Sequence, residues 1–339
     1  MSHELDFSLG QAAIAIRHDG QTPWHGYGSR ILPEQLDDLD AWRVAGGLDW
    51  AVREQKIFYA KGDPANGKGT PTQIPNRKAL VRDDTEAVLS VVSDRYHVVQ
   101  PEEIVGFYKD LIEDQGYEID TVGALSDGKR IWALAKAGPG FSIMGQDRIE
   151  NYVLAATSYD ASTATIIRPT GVRVVCHNTL TYALSTSGAQ YVSVPHSTKP
   201  DWDAIKAQLG LVEGAQHQFE DEVNQLAEFQ VDLESALAFF TTVLGKEAVT
   251  VADSGKIEYT NNFKKLFALY EIGTGQELRS ANHTAWGLVN AVTEYQDHVV
   301  KARNNGTRVN SAWFGQGAVR KARAFEQAKE LAGVVKVAA

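Results

Sequence analysis

The stretch "YEIDTVGALSDGKRIWALAKAG", residues 117–138, alternates polar and apolar side chains on either side of a short "SDGK" turn. That is the pattern of an antiparallel hairpin, because successive side chains of a strand point to opposite faces. The same period continues in "NYVLAATSYD" from Asn151 and "STATIIRP" from Ser162, so four strands in a row are expected. Towards the N-terminus, Pro101 opens an amphipathic helix with Ile104, Phe107, Leu111 and Ile112 inward. Before it, "DWAVREQKIFYA" from Asp49 reads as a strand with Val52, Glu54, Lys56 and Phe58 on one face and Arg53, Gln55, Ile57 and Tyr59 on the other. A Gly/Pro/Asn loop to Asn76 and strands "KALVRDD" and "AVLSVVSDRYHVV" follow, while Pro33 to Gly46 reads as a helix. Towards the C-terminus, "RPTGVRVVCHNTLTYAL" from Arg168 reads as a strand that gives way to a helix at Asn178, and "QYVSVP" closes the half as a final strand. Several antiparallel strands with helices set among them define an α+β class.

Pro195 and Pro200 mark a boundary, so the expected division is an α+β domain over 1–197 and a mostly helical domain over 198–339. In the second part Phe219, Val223 and Leu226, then Phe263, Leu266, Phe267 and Tyr270, then Leu288, Val292, Tyr295 and Val299 fall on three-four spacing. Such stripes bury against a core or form a seam between subunits.

With 43% hydrophobic and 22% charged residues, the 339-residue chain can bury a sizeable core. Its single cysteine excludes an internal disulfide framework and fits a reducing compartment. No signal-like segment opens it and no apolar run reaches membrane length, so a cytoplasmic protein with no membrane partner is expected. The net charge is −10, but it is unevenly spread. Residues 201–260 hold twelve acids and three bases, whereas residues 301–339 hold eight bases and two acids. Residues 161–200 contain no acid. An anionic partner therefore remains open if it meets only the basic surfaces.

Several apparent motifs fail on their own chemistry. Cys176, His177 and Asn178 carry the residue types of a cysteine protease, yet neighbours on a helix or strand point apart and cannot share one site. "GDPANGKGT", Gly62 to Thr70, lacks Ser or Thr straight after its lysine, and Pro71 and Pro75 deny it the helix that a phosphate loop needs. The histidines show no metal-ligand spacing, and neither a metal nor a cofactor is expected. Asn290, Glu294 and His298 share a helical face, as a polar stripe or a small site, and Trp24, His25 and Gly26 form another candidate cluster.

What remains is cationic residues interleaved with aromatics on strands. "KRIWALAK" puts Arg130, Trp132, Leu134 and Lys136 on one face, with Trp132 either core or exposed. A sheet face bearing Arg, Lys, Tyr and Trp neutralises phosphates while bases stack on the rings. On that reading Arg53, Arg77, Lys78, Arg82, Arg95, Lys129, Arg130, Arg168 and Arg173 contact phosphates, and Tyr96 and Trp132 stack bases. The basic stretch from Lys301 to Lys329, with Trp313, adds contacts. The alternative is a counter-defence module in which the acidic stretch from Asp201 to Glu258 meets a host protein. An enzyme is the third reading.

Four ordered segments carry a resemblance. They are "TPWHGYG" at Thr22, "SVVSDRYHVVQPEE" at Ser90, "VRVVCHNTL" at Val172 and "TAWGLVNAVTEYQDH" at Thr284. The chain resembles the phage/plasmid-like protein family, domain of unknown function 932, over nearly its whole length. That resemblance brings no catalytic residues. At fold level, strands from Tyr117 to Ile167 followed by a helix from Asn178 are similar to the β-β-β-α core of phage single-strand annealing proteins. This similarity implies a single-stranded DNA partner and a homo-oligomeric ring or filament acting in recombination or replication.

Overall fold

The computed structural model describes residues 13–19, 28–62, 69–173, 175, 178–181, 192–209, 212–251, 256–303 and 305–334. In chain order these form β1 (Ile14–Arg17), β2 (Ser29–Ile31), α1 (Leu39–Ala45), β3 (Val52–Lys61), β4 (Thr70–Arg82) and β5 (Val88–Ser93). Next come α2 (Pro101–Gly106), α3 (Lys109–Gln115), β6 (Glu118–Leu125), β7 (Arg130–Lys136), β8 (Phe141–Ile143), β9 (Asp147–Ser158) and β10 (Thr165–Arg173). Then follow β11 (Asn178–Thr181), β12 (Val192–Val194), α4 (Trp202–Leu209), α5 (Val212–Glu228), α6 (Leu233–Leu244), β13 (Val249–Val251) and β14 (Ile257–Tyr259). The chain continues with α7 (Asn261–Ile272), α8 (Ala285–Glu294) with a π-helical turn at Tyr295–Val299, α9 (Asn305–Phe314) and α10 (Gln316–Ala332). The expected α+β class is what forms.

Two compact units divide the chain: 1–137, 153–168 and 191–207 make one, and 138–152, 169–190 and 208–339 the other. Unit boundaries fall inside β9, β10 and α4.

In the first unit a sheet runs in the order β12–β10–β9–β7–β6–β1–β2. Its β6–β7 hairpin is the opening stretch of the sequence, with Gly123 paired to Trp132 across the strands. A Cβ at Gly123 would lie 2.6 Å from the Trp132 ring, so glycine here makes room for the indole. Above the sheet, Tyr108 at the junction of α2 and α3 donates its hydroxyl to the Ala133 and Val153 carbonyls at 3.0 and 2.8 Å. The single helix expected from Pro101 is therefore two short ones meeting at Phe107 and Tyr108, both buried.

Asp120 is an extra residue in β6, where the pairing with β7 slips between Ile119 and Thr121. Burial pushes its carboxyl up to about 6, a shift only partly opposed by Arg17 and Lys136. The native state then holds a proton that the unfolded chain has released, so stability falls as pH rises from about 4 through 6. Asp120→Asn is expected to raise stability by about 1–2 kcal/mol at pH 7.5 and by nothing at pH 3.5, as measured by urea unfolding at the two pH values.

The second unit is a helical cluster. Phe219, Val223 and Leu226 of α5 pack with Phe263, Leu266 and Tyr270 of α7 and with Leu288, Val292 and Tyr295, against Phe141, Ile143 and Ile149 of β8 and β9. These are the stripes read from the sequence, and they are core of one chain rather than a seam between subunits. The helix expected from Asn178 does not start there among the described residues, and residues 182–191 lie outside them. Asn178–Thr181 is β11, paired antiparallel with Thr170–Arg173 of β10. Two threonines flanking an apolar residue favour a pleated strand over a helix start at Asn178. No helix among the described residues is long and apolar enough to cross a membrane.

Candidate nucleic-acid interface

Strands β3, β4 and β5 form a separate three-stranded sheet in the first unit. Its root pairs Val52–Lys56 with Lys78–Arg82, and β5 with Arg77–Val81. Leu80, Val81, Val92 and Val52 are buried there, and the Gln100 side chain closes the open edge by bonding both the N–H and the carbonyl of Val52 at 2.8 and 3.1 Å. Beyond Lys56 the pairing jumps: Phe58 faces Gln73, so Ile74 to Arg77 on β4 oppose Ile57 alone, and Asn76 takes a φ of 57°. A bulge of this size bends the strand and ends the third strand's pairing. What projects past it is a ribbon of two strands, Phe58–Lys61 against Thr70–Gln73.

This ribbon contains the most exposed aromatics of the sheet. Phe58 and Tyr59 are 55% and 48% exposed, and as neighbours on one strand they present rings to opposite faces. Lys56, Lys61 and Arg77 are exposed beside them and make no ion pair among the described residues. No carboxylate occurs in 56–62 or 69–78. Pro71 and Pro75 sit in β4, where they remove donors from its edge. The ribbon is thus blunted against strand addition while its rings and cations stay open.

The residues chosen from the sequence fare differently. Arg77 and Arg95 are exposed without ion pairs among the described residues, as a phosphate contact requires. Arg53 is exposed but paired with Glu86, and Lys78 is held 2.6 Å from Glu54. Arg82 is only 1% exposed, bonded to Asp84 at 2.7 and 3.0 Å and lying 4.3 Å over the Trp50 ring, so it serves the core. Burial pushes Asp84 upward, but the Arg82 bonds and charge outweigh it and hold the carboxyl below its usual range. Arg130 is buried, donating to Ser162 and Thr163, and Lys129 and Arg168 are half-buried. The Arg173 side chain lies outside the described residues, as do Trp24, His25, Gly26, Cys176, His177 and 63–68 of the glycine-rich loop.

Both proposed stacking residues are interior. Trp132 is 0% exposed at the centre of the sheet. Tyr96 is 6% exposed, with its hydroxyl on the Ser158 carbonyl and its ring stacked on His196 at 4.3 Å. A base cannot reach a ring that protein already covers, so neither stacks bases.

Three cations of the basic C-terminal stretch are engaged within its own unit. Lys321 is buried 2.7 Å from Asp297, Lys329 is buried 2.8 Å from Glu222, and Arg320 lies 2.9 Å from Glu247. Glu222 and Glu247 belong to the acidic stretch, so part of its charge is neutralised internally as well. Trp313 is half-buried. Asn290, Glu294 and His298 do not converge: Asn290 donates to the Trp286 carbonyl, Glu294 accepts from the Thr274 N–H and hydroxyl, and His298 is exposed. No group of three His, Cys, Asp or Glu able to hold a metal occurs among the described residues.

Antiparallel sheets in one unit and a helical cluster in the other make this an α+β protein with an exposed β-ribbon. Residues 88–313 match the model of a domain of unknown function, DUF932, and the chain belongs to that family. The matched residues start at β5, so the ribbon precedes them while Arg95, Tyr96 and His196 lie inside. No curated protein and no solved structure matches the chain.

Proposed function

We propose that the protein binds single-stranded DNA, and that the β3–β4 ribbon, rather than the central sheet, is the contact. One observation supports this above the others: two rings exposed on opposite faces of a ribbon whose charged residues, among those described, are all cations. Rings of this kind accept unpaired bases at about 1–3 kcal/mol each, and the adjoining cations follow the phosphates. A duplex hides its base faces and would leave both rings without a partner, although a two-stranded ribbon has the width to enter a major groove. A phage or plasmid setting supplies single strands during replication and recombination. Several ribbons arrayed in a homo-oligomer would hold a strand extended, ready for annealing.

The test is fluorescence anisotropy on a labelled oligonucleotide at rising salt. With three to four phosphates neutralised, log K is expected to fall against log salt with a slope of roughly −2 to −3. Unlabelled duplex of the same length is expected to compete poorly. No binding at low salt, or tighter binding to duplex, would remove this reading.

A further inference from the structure

The second unit carries a small β-hairpin with a bare edge. Val249, Thr250 and Val251 of β13 pair with Tyr259, Glu258 and Ile257 of β14, and no third strand joins them among the described residues. Its root is held in place: the Tyr259 ring stacks on Phe263 at 3.9 Å, and the Thr260 hydroxyl donates to the Glu247 carbonyl at 2.5 Å. Farther out, Val251 and Ile257 lie directly opposite each other and are 69% and 68% exposed. With Val249 and Tyr259 they give one face of the hairpin only apolar and aromatic side chains. A two-stranded hairpin is marginal in water and gains stability from a further strand.

The backbone shows which groups are open. The Thr260 N–H bonds the Ala248 carbonyl at 2.9 Å, so the hydrogen-bonded pairs alternate from there to Thr250 and Glu258. Ile257 and Tyr259 fall between these pairs and turn their N–H and C=O groups away from β13. Lys256 and Glu258 flank Ile257, are exposed and make no ion pair among the described residues.

Charge and hydrogen-bond phase together select a partner. A second copy of β14, pairing antiparallel, has a twofold axis at the contact. Centred on Glu258, that axis would oppose two carboxylates and use a residue whose N–H already faces β13. Centred on Tyr259, the pairing would run into α7, which begins at Asn261. An axis between Ile257 and Glu258 would mix the apolar and charged faces. Centred on Ile257, every term agrees. Ile257 exchanges both backbone bonds with its own copy, and Lys256 lies opposite Glu258 of the second copy twice over. Lysine on an edge strand ordinarily discourages pairing, and here the same lysine selects it.

We infer that β14 is a self-association edge, through which two copies of the chain pair antiparallel at Lys256–Tyr259 about Ile257. Val251 and Ile257 of both copies then form one row of four apolar side chains across a four-stranded sheet. So narrow a strip buries well under the roughly 1,200 Å² of a standard interface, so the pair is weak and forms as concentration rises. The contact concerns the second unit alone and stands whether or not the β3–β4 ribbon binds DNA.

Sedimentation equilibrium of the full chain over a hundredfold range of concentration tests it. The mass is expected to rise from one chain towards two. Ile257→Pro removes an N–H that points outward, so the hairpin loses no bond of its own. This variant is expected to stay monomeric at an unchanged melting temperature. Lys256→Glu and Glu258→Lys each set like charges across the axis and are expected to weaken association about tenfold. Mixed in equal amounts, these two variants restore opposite charges at both contacts and are expected to pair as tightly as the parent. A merely structural role for either residue would give no such rescue. A parent that stays monomeric throughout, an Ile257→Pro variant that still pairs, or a mixture no tighter than its components would overturn the proposal.

Discussion

Replacing Phe58 and Tyr59 together by alanine is expected to weaken single-stranded DNA binding by roughly thirtyfold or more, with folding unchanged. Two stacked bases at about 1–3 kcal/mol each are lost, and about 1.4 kcal/mol is a factor of ten. Each single variant is expected to lose less than the pair. Both rings are about half exposed, so truncation opens no cavity and stability stays within about 0.5 kcal/mol of the parent. The cations beside them remain, so the salt slope of the residual binding is expected to persist. That separates a stacking role from a general loss of the arm. An unfolding curve and an anisotropy titration on the same sample measure both quantities, and equal affinity in the double variant would take the rings out of the interface.

The second large effect has the opposite signature. Trp132→Ala is expected to destabilise the first unit by about 3–5 kcal/mol, the range for truncating a large buried ring. The indole is fully buried and lies over Gly123, whose missing side chain leaves it space, so no neighbour is placed to fill the void. For a unit of this size the melting temperature would drop by roughly 10 °C. At a temperature where the variant is still folded, its DNA affinity is expected to equal the parent's. Loss of binding at full stability would restore Trp132 to the interface and contradict its place in the core.

Trp132 also shows how far the sequence could be read. Alternation along β7 correctly indicated a strand, and it correctly grouped Arg130 with Trp132. It did not reveal that both faces are covered. The opposite face, Ile131, Ala133 and Ala135, is apolar as well, which is the mark of a strand buried on both sides. Arg82 misleads in another way, because its partner Asp84 is two residues away and its platform Trp50 is thirty-two away. Local pattern shows a cation and is silent on its pairing. Pro71 and Pro75 were signs of a loop by the usual rule, yet they occupy a ribbon edge where a missing N–H costs nothing. The adjacent Phe58 and Tyr59 were a usable signal. Two consecutive rings on a strand must face opposite sides, and only a strand bare on both faces exposes both. The helical stripes were legible because one amphipathic face of each meets one core. The strand at Asn178 was not, since a four-residue segment is governed by the partner it finds in β10.

Photocrosslinking tests the central claim most directly. A single-stranded oligonucleotide carrying 5-iododeoxyuridine is irradiated with the full chain, and the modified peptide is identified by mass spectrometry. The ribbon is expected to yield the main adduct, at Phe58 or Tyr59. Adducts confined to other segments such as 301–323, or none at concentrations where the strand is bound, would contradict it.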